Sequence, residues 1–236
     1  CSTAAGPAFE GGEIKCGMRA AAGAIEGVRI HENVELDIIG NERPQGICGS
    51  GLIDAVAEMV RMGIIDSSGS FQLKSDNLEK LPFGVKERVR INNEGGAEFV
   101  LVWASDCSMG EDIVITQKDI RKLQLAKGAI AVGIKILLKE FGVKVKDIER
   151  VFLAGAFGNY IKKESALMLG LLPPVEPEKI SAIGNAAGEG AKMALLSPDE
   201  RFRAKVLARK TRHVELSVHK DFQEEFLKSF SFGNQI

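Results

Sequence analysis

Apolar and polar residues alternate with two different periods along this chain, and the changes of period mark its elements. Residues 24–39 alternate in A-I-E-G-V-R-I and V-E-L-D-I-I, which predicts two strands joined by a turn at residues 31–33. The sequence G-I-C-G-S-G then opens a stretch with apolar residues at helical spacing, which predicts a helix that ends at Gly63. These apolar residues are Leu52, Ile53, Val56, Met59 and Val60. We therefore expect a hairpin followed by an amphipathic helix.

Serine, asparagine and glycine cluster in residues 66–110, and only short apolar runs interrupt them. Two of these runs, at residues 89–91 and 99–103, have the composition of strands. The segment Glu94-Gly95-Gly96 between them predicts a hairpin turn. A further short strand is predicted at residues 112–115. We interpret residues 66–110 as a β-rich insertion in the main fold and not as a separate domain.

The long helix that follows is predicted from its start signal and its apolar positions. Thr116 and Asp119 have the spacing of a capping box, and the helical pattern continues to Phe141. Its apolar residues cover more than one face, so we expect it to be buried between layers. Gly128 and Gly133 lie inside this helix, where we expect them to permit close packing.

The C-terminal part is predicted to contain two helices and a strand. Ser197-Pro198-Asp199-Glu200 is a strong helix start, with serine at the N-cap and proline in the first turn. The basic residues after it fit a solvated helix face. Residues 214–218 alternate like a strand, and residues 221–230 form an amphipathic helix. The apolar side of that last helix is Phe222, Phe226, Leu227 and Phe230.

Two segments in succession have the pattern of a buried strand that ends in glycine and opens a helix. The first is V-F-L-A-G-A-F-G-N-Y at residues 151–160, followed by a predicted helix at residues 161–169. The second is I-S-A-I-G-N-A-A-G-E-G at residues 180–190. Glycine lets backbone come close to a ligand, so the pair favours an α/β nucleotide-binding module. Neither a dinucleotide fingerprint nor a P-loop is present. The alternative, that these glycines only end strands, stays open.

Composition excludes several classes of function. The chain has 31 basic and 32 acidic residues, a formal net charge of −1, so nothing in it demands nucleic acid or an anionic membrane as partner. No apolar run is long enough to span a bilayer. The cysteines, Cys1, Cys16, Cys48 and Cys107, form no C-x-x-C pair, and there are three histidines. We therefore expect neither a zinc site nor an iron–sulfur cluster in this chain, and a reducing, cytoplasmic setting.

Acidic residues beside glycine-rich turns are candidates for magnesium ligands or bases, but helix caps and solvated carboxylates explain them better. They are Glu10, Glu13, Asp54 and Glu189. Cys48 precedes a helix start, where a thiol is activated, although packing of a small buried residue is favoured. The histidines, His31, His213 and His219, are expected at the surface. The sequence therefore assigns no catalytic residue and no metal ligand.

Four motifs, taken together, are similar to those of one family. They are C-S-T-A-A-G-P-A-F-E-G-G, I-C-G-S-G-L-I-D-A, V-F-L-A-G-A-F-G-N-Y-I and I-G-N-A-A-G-E-G-A. They resemble the C-terminal ATPase-type domain of the ferredoxin-linked reductive activators of corrinoid proteins, a branch of the actin/Hsp70/sugar-kinase superfamily. The resemblance extends over almost the whole chain. It implies an α/β fold in which residues 1–236 are a single RNase H-like lobe with a helical and β-rich insertion.

The resemblance also implies a site. In that superfamily two lobes close on ATP, and a Gly-Gly or Gly-Ala turn of the second lobe lies against the adenosine. The residues that match this turn are Gly155, Ala156, Phe157, Gly158 and Asn159. Gly184 and Asn185 would line the same cleft. Gly6 would flank the phosphates, although a structural loop is the favoured role for it.

Full-length members of the family are implied to contain more than this chain. They resemble an iron–sulfur domain joined to a complete two-lobed ATPase, whose phosphate hairpins would lie upstream of Cys1. We therefore expect this chain to be a fragment that shares an ATP/Mg²⁺ site with a missing lobe. Alone it should not hydrolyse ATP, and the iron–sulfur cluster should lie outside it.

The implied function is ATP-dependent reduction of inactive Co(II) corrinoid proteins to Co(I), with a corrinoid protein or corrinoid-dependent methyltransferase component as partner. The exposed face of residues 66–110 is a candidate surface for that partner. The alternative is a non-catalytic, actin-like interaction module that forms a homodimer through its apolar tail. A core-capping role for the tail competes with that hypothesis. A metabolite kinase would need a base beside the phosphate acceptor, for which the sequence offers no compelling candidate.

Overall fold

Small sheets and helices alternate along the chain. This computed structural model describes residues 1–74 and 76–233. The strands are β1 (Ala24–Ile30), β2 (Val34–Ile38), β3 (Gly46–Ile47), β4 (Val89–Ile91), β5 (Ala97–Val102), β6 (Ile113–Thr116), β7 (Val151–Leu153) and β8 (Ile180–Ala182). The helices are α1 (Gly49–Arg61), α2 (Asp76–Glu79), α3 (Phe83–Lys86), α4 (Gln117–Phe141), α5 (Gly155–Tyr160), α6 (Lys163–Met168), α7 (Ala186–Leu196), α8 (Pro198–Lys210) and α9 (Phe222–Lys228). The α/β class is confirmed. None of these helices is long and apolar enough to cross a membrane.

The first sheet has the order β2-β1-β3 and contains the predicted hairpin. β1 and β2 are antiparallel, with Val28 opposite Leu36. β3 runs parallel to β1 but pairs only with Ala24 and Ile25. The edge of β1 beyond these two residues must find other hydrogen-bond acceptors, because a buried peptide N–H without one is costly.

Helix α1 provides acceptors for that edge of β1. The N–H of Val28 donates to Oδ2 of Asp54 at 3.4 Å, and the N–H of Ile30 donates to Oε2 of Glu58 at 2.8 Å. The two carboxylates lie one helical turn apart, so both face the strand. α1 therefore stands where a longer third strand would otherwise continue.

The second sheet, β4-β5-β6, is antiparallel and has a different chemistry on each face. Phe99 and Ile115 lie opposite each other in the core and are fully buried. The other face carries Glu98, only 2% exposed, which accepts from Arg90 at 2.9 Å and from Lys15 at 3.3 Å. The predicted turn is confirmed, since the N–H of Asn92 donates to the carbonyl of Gly96 at the end of the hairpin.

Helix α4 begins and ends as its sequence predicts. The side chain of Thr116 accepts from the N–H of Asp119 at 3.2 Å, and the Asp119 carboxylate accepts from the N–H of Thr116 at 2.8 Å. This is the expected capping box. The helix ends at Gly142, whose φ of 65° suits a left-handed C-terminal cap.

The predicted strand at residues 214–218 is wrong. Val214 and Leu216 are buried beside Val132 and Ile136 of α4, and the segment pairs with no strand among the described residues. Alternating burial arises here because every second side chain packs on a helix. That pattern cannot be distinguished from a strand in the sequence.

Helix α9 caps the core, which is the alternative to a dimerisation surface among the two interpretations of the tail. Phe226 stacks on Phe222 with ring centroids 5.6 Å apart and meets Phe230 edge-on at 4.8 Å. A Cβ added to Gly128 of α4 would lie 3.2–3.4 Å from the last two rings, so the glycine permits this close approach. The assignment of Leu227 to the apolar side is wrong, since it is 66% exposed.

The third sheet pairs β7 with β8 in parallel, Val151 opposite Ile180. The expectation that β7 is buried is wrong, because Phe152 is 56% exposed. The helix after it also begins earlier than predicted, at Gly155. It stops where the backbone of Ile161 becomes extended and its side chain enters the core, and α6 then begins at Lys163.

Helices α7 and α8 form a hairpin in which no described residue is buried. Ser197 caps α8 by accepting from the N–H of Glu200 at 3.3 Å, as predicted. The basic residues of α8 are solvated. Leu195, Leu196 and Phe202 are 75%, 82% and 69% exposed.

The residues that follow α9 are fixed to α4 by a buried lysine. Nζ of Lys127 donates to the carbonyl of Ser231 at 2.7 Å, and Nε2 of Gln124 donates to that of Phe230 at 2.8 Å. The lysine side chain is buried, and burial lowers its pKa from 10.5 to about 8. The charged form is therefore kept at a cost to stability.

We expect the packing of α9 to make Phe226 and Leu227 differ strongly. Phe226→Ala should lower the free energy of unfolding by about 1–3 kcal/mol, because it removes the half-buried ring that packs between α9 and α4. Leu227→Ala, the adjacent and exposed control, should change it by less than about 0.5 kcal/mol. Urea denaturation of the two variants measures both values, and equal losses would contradict the capping role.

The pKa of Lys127 predicts a pH dependence of stability. Between about pH 8 and 10.5 the unfolded chain holds the lysine proton and the folded chain has lost it, so folding becomes more favourable as pH rises. Relative to Lys127→Met, the free energy of unfolding of the wild type should rise by about 3 kcal/mol across this pH window. Denaturation at several pH values tests this. Lys118→Met, with its side chain 90% exposed, should follow the wild type.

Candidate functional site

The two glycine turns predicted to bind ligand lie side by side. The N–H of Gly155 donates to the carbonyl of Gly184 at 2.8 Å, and the N–H of Ile183 donates to that of Leu153 at 2.9 Å. Both glycines have left-handed backbone, with φ of 90° and 65°. Among the described residues, apart from the chain neighbours of each glycine, no atom lies within 4 Å of where a Cβ on either would stand. The turns therefore present bare backbone to open space at one end of the third sheet.

Asn185, also assigned to the site, has a structural task. Its Oδ1 accepts from the N–H of Gly188 at 3.0 Å and so caps α7. An N-cap side chain satisfies a donor of its own helix and fixes the direction in which the helix leaves the turn. Asn185 therefore holds Gly184 in place.

Gly158 is buried and packs against β7. A Cβ at this position would lie 2.9–3.1 Å from the side chain and carbonyl group of Leu153. The glycine is needed because α5 crosses so close to the strand that precedes it. The side chains of Ala156, Phe157 and Asn159 lie outside the described residues.

Gly6 lies in a groove that does not include Gly155 or Gly184. With a φ of 72° it lines a space of about 320 Å³ between the N-terminal segment and α4, together with Lys122 and Phe226. The residues of that groove differ from those that surround Tyr160 at the end of α5. Gly6 and Tyr160 therefore line different spaces.

A cleft beside α5 was not predicted from the sequence. It has a volume of about 680 Å³, within the range of small-molecule sites, and lies between the N-terminal segment, the start of α1 and Tyr160. Phe9, Met18 and Ile39 give it apolar walls, and Tyr160 is 62% exposed. Charged groups reach it from Glu10, Arg19 and Glu26. The motifs A-F-E-G-G and I-C-G-S-G supply two walls, but their meeting depends on tertiary structure.

Two of the acidic candidates form ion pairs in the described part of the chain, and Cys48 is packed in the core. Glu13 pairs with Lys122, and Glu189 pairs with Lys192 at 2.7 Å. Cys48 is buried, and its thiol donates to the carbonyl of Ile25 at 3.3 Å, as the packing interpretation requires.

His31 and His213 are exposed, whereas His219 is half-buried beside Glu140, contrary to expectation. No group of three histidine, cysteine or acidic residues able to hold a metal occurs in residues 1–74 and 76–233.

Comparison with known proteins places this arrangement in a family. The family described as the C-terminal domain of RACo, the ASKHA domain, matches residues 1–235. The chain belongs to this family. Its members share the actin/Hsp70/sugar-kinase fold that the four motifs implied, so that resemblance is confirmed.

Individual relatives of this ASKHA domain agree with the assignment. The chain is 41% identical over its whole length to the corrinoid activation enzyme RamQ of Eubacterium limosum, covering 39% of that protein. It is 27% identical over 99% of its length to the [Co(II) methylated amine-specific corrinoid protein] reductase of Methanosarcina barkeri, covering 42% of it. A solved reductive activator for corrinoid, iron–sulfur protein superposes on the whole chain with a TM-score of 0.85 at 42% identity, covering 36% of that protein. The chain thus spans about two fifths of these relatives.

The packing of the two helices predicts opposite effects for two glycine substitutions. Gly158→Ala should destabilise the protein by about 1–3 kcal/mol, because its methyl group overlaps Leu153. Gly190→Ala, inside α7 with nothing within 4 Å of the added carbon, should stabilise it by about 0.5–1 kcal/mol. Thermal unfolding of both variants checks the signs. A neutral Gly158→Ala would refute the close crossing of α5 over β7.

Proposed function

We propose that this chain is the nucleotide-binding part of an ATP-dependent reductive activator that converts inactive Co(II) corrinoid proteins to the Co(I) state. The observation that carries the proposal is the hydrogen-bonded pair of open glycine turns at Gly155 and Gly184 in an ASKHA-family domain. The names of the relatives, which refer to corrinoid activation and to a Co(II) corrinoid protein, support the choice of substrate.

The paired turns suit the nucleoside part of ATP. Two adjacent backbone segments without side chains offer a flat surface on which a ribose and a base can lie within van der Waals distance. A side chain at either position would occupy that space. Gly155 and Gly184 are therefore proposed as contact residues, with Asn185 and Gly158 holding the turns in place.

The cleft beside Tyr160 suits the remainder of the ligand. Helix α1 has 13 residues, and its N-terminal end lies at this cleft, where the helix dipole favours negative charge. Arg19 adds a cation beside the carboxylates of Glu10 and Glu26, and Phe9 and Tyr160 provide aromatic walls. The cleft is large enough for part of a nucleotide. Ligands of Mg²⁺ are proposed to lie mainly in the phosphate hairpins outside this chain.

The proposed role of ATP is to make an unfavourable electron transfer possible. One electron passes from an iron–sulfur cluster, which is proposed to lie outside this chain, to Co(II), which becomes Co(I). This reduction is uphill for ordinary ferredoxin potentials. A conformational change that nucleotide stabilises can alter cobalt coordination in the partner, provided that ATP binds the two conformations with different affinity.

The face of the β4-β5 region remains the proposed contact surface for the corrinoid protein. Phe83 and Ile91, which lie in residues 66–110, are 80% and 62% exposed. The interaction-module hypothesis has less support, because Phe226 and Phe232 of the tail pack inward against the core. The homodimer stays a prediction.

Nucleotide affinity should depend on Gly155. In calorimetric titration of the complete natural protein with MgATP, Gly155→Val should weaken binding at least tenfold, because the valine fills the nucleoside surface. Gly142→Val is the matched control: it also has left-handed backbone and open space, but it caps α4. The control should bind ATP within about twofold of wild type. Equal affinity of all three proteins would place the nucleotide elsewhere.

The activity itself is tested by following the absorbance of a Co(II) corrinoid protein mixed with the complete protein and a low-potential reductant. Formation of Co(I) should require MgATP and should be slower with Gly155→Val than with Gly142→Val. Absence of any ATP-dependent reduction, across corrinoid proteins from the same cell, would refute the proposed function.

A further inference from the structure

Asp54 of α1 is a buried carboxylate whose partners lie in two other parts of the fold, β1 and the start of α6. Its side chain is 2% exposed. Oδ1 accepts from the hydroxyl of Ser165 at 2.7 Å, and Oδ2 pairs with Nζ of Lys162 at 2.5 Å. Oδ2 also accepts from the N–H of Val28 in β1 at 3.4 Å. The carboxylate therefore joins α1 and the first sheet to residues that follow α5.

The two side-chain partners follow α5, the helix that begins at the proposed nucleotide site, within five residues of its end. Lys162 is two residues after Tyr160, the last residue of α5, and precedes α6. Ser165 lies in the first turn of α6 and is itself buried. Because α5 has six residues, its two ends, Gly155 and Tyr160, are only about 8 Å apart. Fixing the end of α5 therefore fixes both the glycine turn and the wall of the cleft.

The burial of the Asp54 carboxylate makes this arrangement costly to change. A carboxylate removed from water must keep its cation and its hydrogen-bond donors, because an unpaired buried charge costs several kcal/mol. Asp54 consequently holds Lys162 and Ser165 in one arrangement. Movement of α5 and α6 away from α1 would separate the Ser165 hydroxyl and the Lys162 ammonium from the carboxylate.

We infer that Asp54 is a positioning residue, which holds α5 against the N-terminal end of α1 so that the Gly155 turn and Tyr160 face the nucleotide together. The inference rests on the proposed function, since it concerns the same site. Asp54 does not contact the nucleotide in this account. It acts through Lys162 and Ser165.

Glu58 supplies a matched control. It lies one turn later on α1 and also accepts an N–H of β1, that of Ile30 at 2.8 Å. Its cation is Arg61 on the same helix, 2.7 Å away, and not a residue beside α5. Glu58→Gln therefore disturbs the same strand edge and the same helix without touching the link to α5.

The experiment compares Asp54→Asn and Glu58→Gln in the complete natural protein. Asp54→Asn should weaken MgATP binding about tenfold, whereas Glu58→Gln should stay within about twofold of wild type. Lys162→Gln, which leaves α1 intact, should show a similar loss, and the double variant should lose little more because the pair acts as a unit. Backbone hydrogen exchange without nucleotide should accelerate in α5 and α6 for Asp54→Asn, and at Ile30 for Glu58→Gln.

The outcomes separate the inference from the proposed function. Equal changes in ATP affinity for Asp54→Asn and Glu58→Gln, or unchanged exchange in α5 with Asp54→Asn, would overturn the positioning role while ATP binding by wild type stands. A wild type that binds no ATP, with exchange in α5 accelerated only by Asp54→Asn, would refute the proposed function and retain the link to α5.

Discussion

The early end of β3 is the constraint on which the rest of this domain depends. After Ile47 the N–H of Cys48 still bonds to the carbonyl of Ile25, and the chain then turns into α1. The N–H groups further along β1 need other partners, and the carboxylates of Asp54 and Glu58 accept hydrogen bonds from them. The helix approaches the strand so closely that a Cβ on Gly51 would lie 2.2 Å from the carbonyl oxygen of Ile25. This contact explains the glycine of the I-C-G-S-G-L motif by packing.

The same contact sets the rotation of α1 and thereby the geometry of the proposed site. With one oxygen of Asp54 turned to β1, the carboxylate also reaches Lys162 and Ser165 behind α5. The start of α1 and the end of α5 both line one cleft. Sheet, helix and glycine turn are connected through a few buried polar contacts. Such contacts fix the relative position of these elements, because other arrangements would leave buried polar groups without hydrogen-bond partners.

The sequence predicted correctly those elements whose pattern depends on residues close together in the chain. The capping box at Thr116 and the N-cap at Ser197 depend on residues three positions apart, and the hairpin joins two strands that are neighbours along the chain; all three are present. The error at residues 214–218 has a physical cause. Burial of alternate residues on α4 produces the same pattern as strand pairing.

The candidate site was predictable only in part. The turns at Gly155 and Gly184 follow from strand–glycine–helix patterns, and the structure joins them by a hydrogen bond. The cleft beside Tyr160 and the ion pair of the buried Asp54 with the half-buried Lys162 join residues more than 100 positions apart. No spacing in the sequence indicates such contacts. Asp54 in particular looks like a solvated helix residue until the partner helix is seen.

Photoaffinity labelling with 8-azido-ATP, followed by peptide mapping of the complete natural protein, tests the central claim most directly. The account predicts that the azido group attaches to peptides containing Gly155–Tyr160 or residues 183–188, and that excess MgATP prevents the labelling. Specific labelling confined to other peptides, such as those of the β4-β5-β6 sheet, would contradict it.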